Sequence, residues 1–595
     1  MSVRSRWKKI FWVAGAVLLG IFAFVLYVNG RGGHYPSYPA ASFPKRSAPA
    51  ASAAATSDAL VQIDAGSLRG THVGSTIAFR GIPYARPPVG DLRWEPPLPA
   101  VPWQGVREAA EPGRACTQRA EGLVPFIAPM AKAYGASFAQ PPLQSSEDCL
   151  YLDVWVPQWP AQRALPVMVW LHGGSNTVGS GSQSTYGGVS LTQHGVVLVT
   201  LNYRLGVMGF FSHPELSTGS PHHGSGNYGL LDQLAALAWV KRNIAQFGGD
   251  PDNVTLFGES AGAIDAALLM TSPLSAGLFR RVISESGPAF GPSRTLSEAE
   301  AFGSAVSALT APDPHSTALQ RLRALPAAEV EKLVVKAKEH FPADITSATS
   351  DGWVLPQSPQ QAFLSASIQK VDLLIGLNGR ELSAFRLAAA AAASKSSGNQ
   401  SSVADSGGFK KFSAAARPYF GGWTNPAIAL YFGKILVGRT AALDRAANDL
   451  IGTCPVGAMA SLTSDSGQRV FVYRFDRSIP GKGEAELGAF HSLEVPYVFG
   501  SLADPEWQWL PSTSDDAALS NLLQTYWTDF AKSGDPNAPG LPNWPAWSDA
   551  KMEFLVVNQD ASVSAQRNFA PLFSRLAAKD LRERERDSER LPPPQ

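Results

Sequence analysis

The chain has little with which to bind a metal, staple itself or hold nucleic acid. It contains three cysteines in 595 residues, too few for a disulfide-dense scaffold and without a zinc-site spacing. Its ten histidines are scattered and form neither HExxH nor another paired ligand pattern. Charge of either sign is scarce: Lys and Arg total 50, Asp and Glu 49, and the formal net charge is +1. That balance excludes a basic field for nucleic acid and an acidic interaction tail. No repeat with a period of about 20–50 residues is visible, which argues against solenoids and propellers. No metal or cofactor is expected.

What is present is a chain 45% apolar, with 54 glycines and 46 prolines, a composition that suits many loops between short strands. The N-terminus stands apart. Arg4, Arg6, Lys8 and Lys9 precede an uncharged, largely apolar run over residues 10–28. At about 1.5 Å per residue this run just reaches across a hydrocarbon core of about 30 Å. No A-x-A-like site follows directly, so residues 1–29 read as a retained membrane anchor, with a cleaved signal segment as the alternative. The positive flank is expected to stay cytoplasmic, which places the rest of the chain on the extracytoplasmic side, or secreted if the segment is cleaved. Residues 30–58, rich in Pro, Ala, Ser and Gly, read as a disordered linker. The folded domain is expected over 59–575, followed by a charged tail over 576–595. Residues 387–408 are rich in Ala, Ser and Gly and read as a mobile surface loop.

Inside the domain, strand-like apolar runs occupy residues 167–171, 196–201, 254–257, 282–284, 371–377 and 470–475. Most are nearly continuous in apolar character, as befits strands buried on both faces. Helical periodicity fills the gaps, for example over 230–245 and 261–270. The alternation predicts an α/β fold with one central, mostly parallel mixed sheet flanked by helices. The helix-rich stretch from about 290 to 370 is expected to form a cap over the sheet edge. Functional loops in such sheets lie at the carboxyl ends of the strands.

One of those ends carries Gly258-Glu259-Ser260-Ala261-Gly262, between a strand and a helix. This is G-x-S-x-G in the context that a strained nucleophile turn needs; an ordinary glycine-rich turn with a buried serine is the bland alternative. A serine hydroxyl needs a base to take its proton, and the base needs an orienting acid. Three histidines follow Ser260: His315, His340 and His491. His315 lies in a proline turn and His340 in a Lys- and Glu-rich stretch, whereas His491 follows a strand in a loop. For the acid, Glu381 comes a short turn after the strand at 371–377, while Asp372 lies at that strand's wrong end. Donors for a developing oxyanion are expected from the N–H of Ala261 and from the loop His172-Gly173-Gly174-Ser175-Asn176, which follows the strand at 167–171.

These segments resemble the type B carboxylesterases, the family of the bacterial para-nitrobenzyl esterases and the cholinesterases. The resemblance runs from Ile63 to Phe573. It is carried further by Phe79-Arg80-Gly81-Ile82-Pro83-Tyr84-Ala85, Glu147-Asp148-Cys149-Leu150-Tyr151-Leu152 and Asn202-Tyr203-Arg204-Leu205-Gly206. The same holds for Asn227-Tyr228-Gly229-Leu230-Leu231-Asp232-Gln233, Phe247-Gly248-Gly249-Asp250-Pro251 and Phe530-Ala531-Lys532-Ser533-Gly534-Asp535-Pro536-Asn537. The resemblance implies the α/β-hydrolase fold, with Ser260 as nucleophile, Glu381 as acid and His491 as base. It also implies an oxyanion hole at Gly174, Ser175 and Ala261, a disulfide between Cys116 and Cys149, and Ser286 as a supporting serine near the acid. Cys454 is then left over as a buried thiol. The chain departs from the family at three positions. Ser175 stands where a third glycine is usual, Arg380-Glu381-Leu382 replaces Asp-Glu-Gly, and Ser492 replaces the glycine that commonly follows the histidine.

The expected activity is hydrolysis of a small-molecule carboxylic ester through an acyl-enzyme. The same machinery serves amides, carbamates and thioesters. The rival reading is a membrane-anchored binding or adhesion protein that uses the fold without chemistry; its signature would be a missing triad residue, which is not seen. Trp423 and Phe420 suit the wall of a substrate pocket, though core packing is the more ordinary role for either.

Overall fold

The computed structural model describes residues 59–140, 143–159, 164–290, 293–339, 341, 348–396, 448–560 and 562–566. The anchor and linker readings (1–58), residues 397–408 of the loop expected over 387–408, the tail, His340, Phe420 and Trp423 lie outside the described residues. Among the described residues no helix is long and apolar enough to cross a membrane.

Eleven strands join in one sheet. In chain order they are β1 (Thr71–Val73), β2 (Thr76–Pro83), β3 (Tyr151–Val156), β4 (Leu165–Leu171), β5 (Val197–Leu201) and β6 (Gly249–Glu259). β7 (Arg281–Glu285), β8 (Asp372–Asn378), β9 (Val470–Phe475), β10 (Phe554–Val557) and β11 (Val563–Gln566) follow. Across the sheet the order is β1-β2-β3-β5-β4-β6-β7-β8-β9-β10-β11. Neighbours from β5 to β10 are parallel, while β1, β2, β3 and β11 pair antiparallel. The apolar runs of the sequence are the parallel centre, and β4 shows why. Its Val167, Val169 and Leu171 pack into one buried cluster, and Met168 and Trp170 into another on the opposite face. A strand covered on both faces has no polar alternation to show. The short margins β1 and β11 are partly exposed and carry too few apolar residues to register.

The helices used below are α1 (Val124–Ala133), α2 (Tyr228–Asn243), α3 (Ala261–Thr271), α4 (Leu296–Ser307), α5 (Ala318–Ala324), α6 (Ala327–Lys338), α7 (Glu381–Ser396), α8 (Cys454–Asp465) and α9 (Ser514–Ser533). α4 packs against α5 and α6 in the helix-rich insertion, and Thr295 and Thr317 start α4 and α5 with capping boxes. One expectation is corrected. Residues 387–396 are not a loop but the continuation of α7. Six successive alanines (388–393) have the strongest helix propensity of any residue, which outweighs their low complexity.

Strand register brings the functional loops together. Leu171 of β4 lies beside Gly258 of β6, Glu259 beside Glu285 of β7, and Glu285 beside Gly376 of β8. The segments after these strands therefore leave the sheet at one edge. Cys116 and Cys149 are joined by a disulfide with Cα atoms 4.9 Å apart, and Cys454 is buried at the start of α8.

Candidate active site

Ser260 turns the chain from β6 into α3 with φ 54° and ψ −123°. A non-glycine residue held in such a conformation costs about 1–3 kcal/mol, and the surroundings impose it. The Ser260 N–H donates to Glu285 O at 2.9 Å, and its carbonyl accepts from the Ile264 N–H at 2.9 Å. A Cβ at Gly262 would stand 2.0 Å from Leu171 O, so only glycine lets α3 start this close to the end of β4. Ser260 is half-buried.

Glu381 opens α7, and His491 lies in the loop beyond β9. Both are buried, and His491 Nδ1–H donates to Glu381 Oε2. The other oxygen, Oε1, accepts from the Asn378 N–H and the Ser286 hydroxyl, each at 2.6 Å. The carboxylate is thus fixed from three directions, and it orients the His491 ring through Nδ1. Nε2 lies 3.1 Å from Glu259 Oε1, the carboxylate one residue before Ser260. Among the described residues Ser260 Oγ makes no hydrogen bond, to His491 or elsewhere. Of the other two histidines considered, His315 is exposed; Asp372 pairs with Arg469 at 2.7 Å, at the far end of β8.

Charge is dense around the imidazole. Glu259, Glu285, Glu381 and Glu494 are all buried. Burial, with the charges of Glu259 and Glu381, pushes Glu494 up to about 8. Burial also raises Glu259, against the pull of His491. It raises Glu285 well above the usual carboxylate range, even though Trp527 Nε1–H donates to it at 2.9 Å. For His491 burial acts downward, but the carboxylates of Glu259 and Glu381 outweigh it and lift the ring to about 9. The site is built to stabilise an imidazolium. Phe126 of α1 and Phe385 of α7 flank the ring, with centroids 6.5 and 4.8 Å away.

The loop after β4 presents the other side. Gly174 has φ 103°, and a Cβ there would stand 2.1 Å from Val178 O. Its carbonyl accepts from the Thr177 and Val178 N–H groups at 3.0 and 3.1 Å. Ser175 and Asn176 follow at φ 57° and 53°. His172 is stacked on Tyr203 at 4.5 Å, and burial pushes it down to about 4, so it is neutral. A Cβ at Gly173 would lie 3.2 Å from Ser260 Cβ and 2.7 Å from Glu259 Oε2, which sets this loop directly against the Ser260 turn. Of nine non-glycine residues with left-handed φ among the described residues, five are Ser175, Asn176, Ser260, Ser286 and Ser492. More than half of these positions among the described residues therefore fall in the segments around Ser260 and His491.

Residues 57–571 match the carboxylesterase family. The chain belongs to that family. Among its curated relatives is the para-nitrobenzyl esterase of Bacillus subtilis (strain 168), 33% identical over 518 residues, covering 85% of this chain and 96% of the relative. Fumonisin B1 esterase of Sphingopyxis macrogoltabida is 34% identical, covering 81% and 83%. The medium-chain fatty acyl-CoA hydrolase precursor of Anas platyrhynchos is 34% identical, covering 88% and 93%. Among solved structures, a PNB esterase superposes with a TM-score of 0.72 at 31% identity, over 88% of this chain and 99% of that one. A carboxylesterase of Geobacillus stearothermophilus superposes with a TM-score of 0.70 at 32% identity, over 88% and 99%. The α/β-hydrolase fold and a serine carboxylesterase activity follow from this membership.

Within this carboxylesterase the sequence left several participants unmarked. Glu259 was only a letter inside the nucleophile motif. Glu494 stands three residues after His491, and its Oε2 accepts from Asn378 Nδ2. Ser492, noted as a departure from the family, has φ 71° and donates its hydroxyl to Glu259 Oε1 at 2.6 Å. A glutamate one residue before Ser260 and another three residues after His491 is the signal that the sequence offers for them.

Proposed function

We propose that this carboxylesterase cleaves carboxylic esters through Ser260, with His491 as general base, Glu381 as its orienting acid, and an acyl-enzyme intermediate. The observation that carries the reading is the buried Glu381–His491 hydrogen bond, placed at the same sheet edge as the strained Ser260 turn. In this reading Ser260 Oγ attacks the ester carbonyl and passes its proton to His491 Nε2. The imidazolium that forms is met by Glu381 on one nitrogen and Glu259 on the other. The carbonyl oxygen takes up negative charge and is held by the N–H groups of Gly174, Ser175 and Ala261. Collapse expels the alcohol, protonated by His491, and water repeats the sequence to release the acid. The aromatic flank formed by Phe126 and Phe385 favours esters with an apolar group next to the imidazole.

The test is hydrolysis of p-nitrophenyl esters of graded acyl length by the wild-type chain and by Ser260→Ala. Loss of several orders of magnitude in kcat, with an unchanged melting transition, is expected; substantial turnover by the variant would refute the nucleophile. No observation favours the alternative of a binding domain without chemistry. Residues 10–28 are proposed as a retained anchor that keeps the catalytic domain on the extracytoplasmic side. The full chain should then stay with membranes through high-salt and carbonate washes; release of a form starting after residue 29 would show a cleaved signal and a secreted enzyme.

A further inference from the structure

The proposed oxyanion donors come from two separate pieces of chain. Gly174 and Ser175 belong to the loop after β4, whereas Ala261 belongs to α3. The hole has its shape only if loop and helix keep one relative position. Asp265 lies four residues after Ala261, one turn along α3, and Asn176 directly follows Ser175. Both are buried, Asp265 completely. Asn176 Nδ2–H donates to Asp265 Oδ1 at 3.0 Å, across 89 residues of sequence. Gln233 of α2 donates to the other oxygen, Oδ2, at 2.6 Å. The Tyr203 hydroxyl lies 3.0 Å from Asn176 Oδ1 and 2.7 Å from His172 O. The Asn176 carbonyl accepts from the Gly206 N–H at 2.6 Å.

We infer that Asp265, acting through Asn176, is a positioning residue that locks the oxyanion loop onto the nucleophile helix. The inference rests on the reading of Gly174, Ser175 and Ala261 as the oxyanion donors. Three features support it. A carboxylate in the buried face of a helix that otherwise holds no charged side chain, only Ala, Gly, Leu, Met and a terminal Thr, is costly, and simple packing is better served by an apolar side chain. Both carboxylate oxygens are taken up by amide donors from different elements, so the group acts as a junction. The residues it holds, Ser175 and Asn176, are consecutive non-glycine residues in the left-handed region, a conformation that persists only where the surroundings over-determine it. Burial pushes Asp265 up to about 7 against the two amides that favour its charged form.

The experiment compares Asp265→Ala, Asn176→Ala, Asn176→Asp and the exchanged pair Asn176→Asp/Asp265→Asn in the full chain, beside wild type and Ser260→Ala. Readouts are kcat and KM on p-nitrophenyl butyrate, the inhibition constant of an alkyl trifluoromethyl ketone, and the melting temperature. Asp265→Ala and Asn176→Ala should lower kcat about ten- to a hundredfold with KM within about threefold, and weaken the ketone by a matching factor. Asn176→Asp sets two carboxylates face to face and should lose more. The exchanged pair restores the pattern and should regain most of the activity, because the amide now on α3 would donate to the carboxylate now on the loop and accept from Gln233. A folded Asp265→Ala or Asn176→Ala protein with wild-type kcat and ketone affinity overturns the inference, as does an exchanged pair that folds but recovers nothing. If Asp265→Ala does not fold, Asn176→Ala and the exchange decide alone. Turnover surviving in Ser260→Ala would instead overturn the underlying assignment of the site, a result separable from all of these.

Discussion

On the His491 flank of Ser260, the buried Glu259, Glu381 and Glu494 surround one imidazole; on the Gly174 flank, a loop with a neutral histidine is tied to a single carboxylate through the Asn176 amide. Both flanks pay in backbone strain, with Ser286 and Ser492 on the first and Ser175 and Asn176 on the second. They differ in what they control. The charged flank raises the proton affinity of His491 to about 9, which in the proposed mechanism sets the pH at which the base is available. The loop flank sets where N–H groups point, which in the proposed mechanism sets how well negative charge on the substrate is received. One flank is tuned by charge, the other by direction.

Three substitutions would break or sharpen that contrast. Glu381→Gln should have the largest effect, lowering kcat by on the order of a thousand- to ten-thousandfold, because an amide no longer selects the tautomer of His491. A loss below tenfold in steady-state assays would shift the acid's role to Glu259 or Glu494. Gly174→Ala comes next, with a fall of about a hundredfold in kcat, since the new Cβ would meet Val178 O at 2.1 Å and swing the donors away. Its pH midpoint should stay in place, as no charge is altered; a displaced midpoint would show that the two flanks are not separable. Glu259→Gln should cost least in plateau rate and most in pH profile. The charge of Glu259 raises His491, and the base must be neutral to accept a proton. Removing that charge lowers the proton affinity, so the acid limb of kcat/KM should move to lower pH, by about one unit. An unmoved or upward-shifted limb would show that Glu259 carries no charge in the working enzyme.

The sequence displayed these two flanks unequally. The nucleophile turn is a local pattern, with glycines, strand and helix within one short stretch, and the central strands show because both of their faces are covered. Glu381 and His491 were reached from chain order and from their positions after strands, and the structure sets them side by side. Contacts such as Asn176–Asp265, 89 residues apart, or Ser492–Glu259, 233 apart, have no local signature, because neither partner's neighbourhood hints at the other. Residues 387–396 went astray for the opposite reason. Low complexity drew attention to composition, and the helix propensity of alanine was the stronger physical term.

The disulfide has a consequence that concerns the surroundings of the enzyme. Cys116 and Cys149 enclose a stretch of chain, with a sequence separation of 33, that contains α1, and α1 carries Phe126 to the side of His491. Closing a loop of this length restrains the unfolded chain by about 3–4 kcal/mol in the loop-entropy account. The bridge joins the stretch that carries α1 to the chain just before β3 of the central sheet. Reducing conditions would remove that restraint and lower the stability of the folded enzyme, so the redox poise of the compartment in which it matures enters into how well it folds.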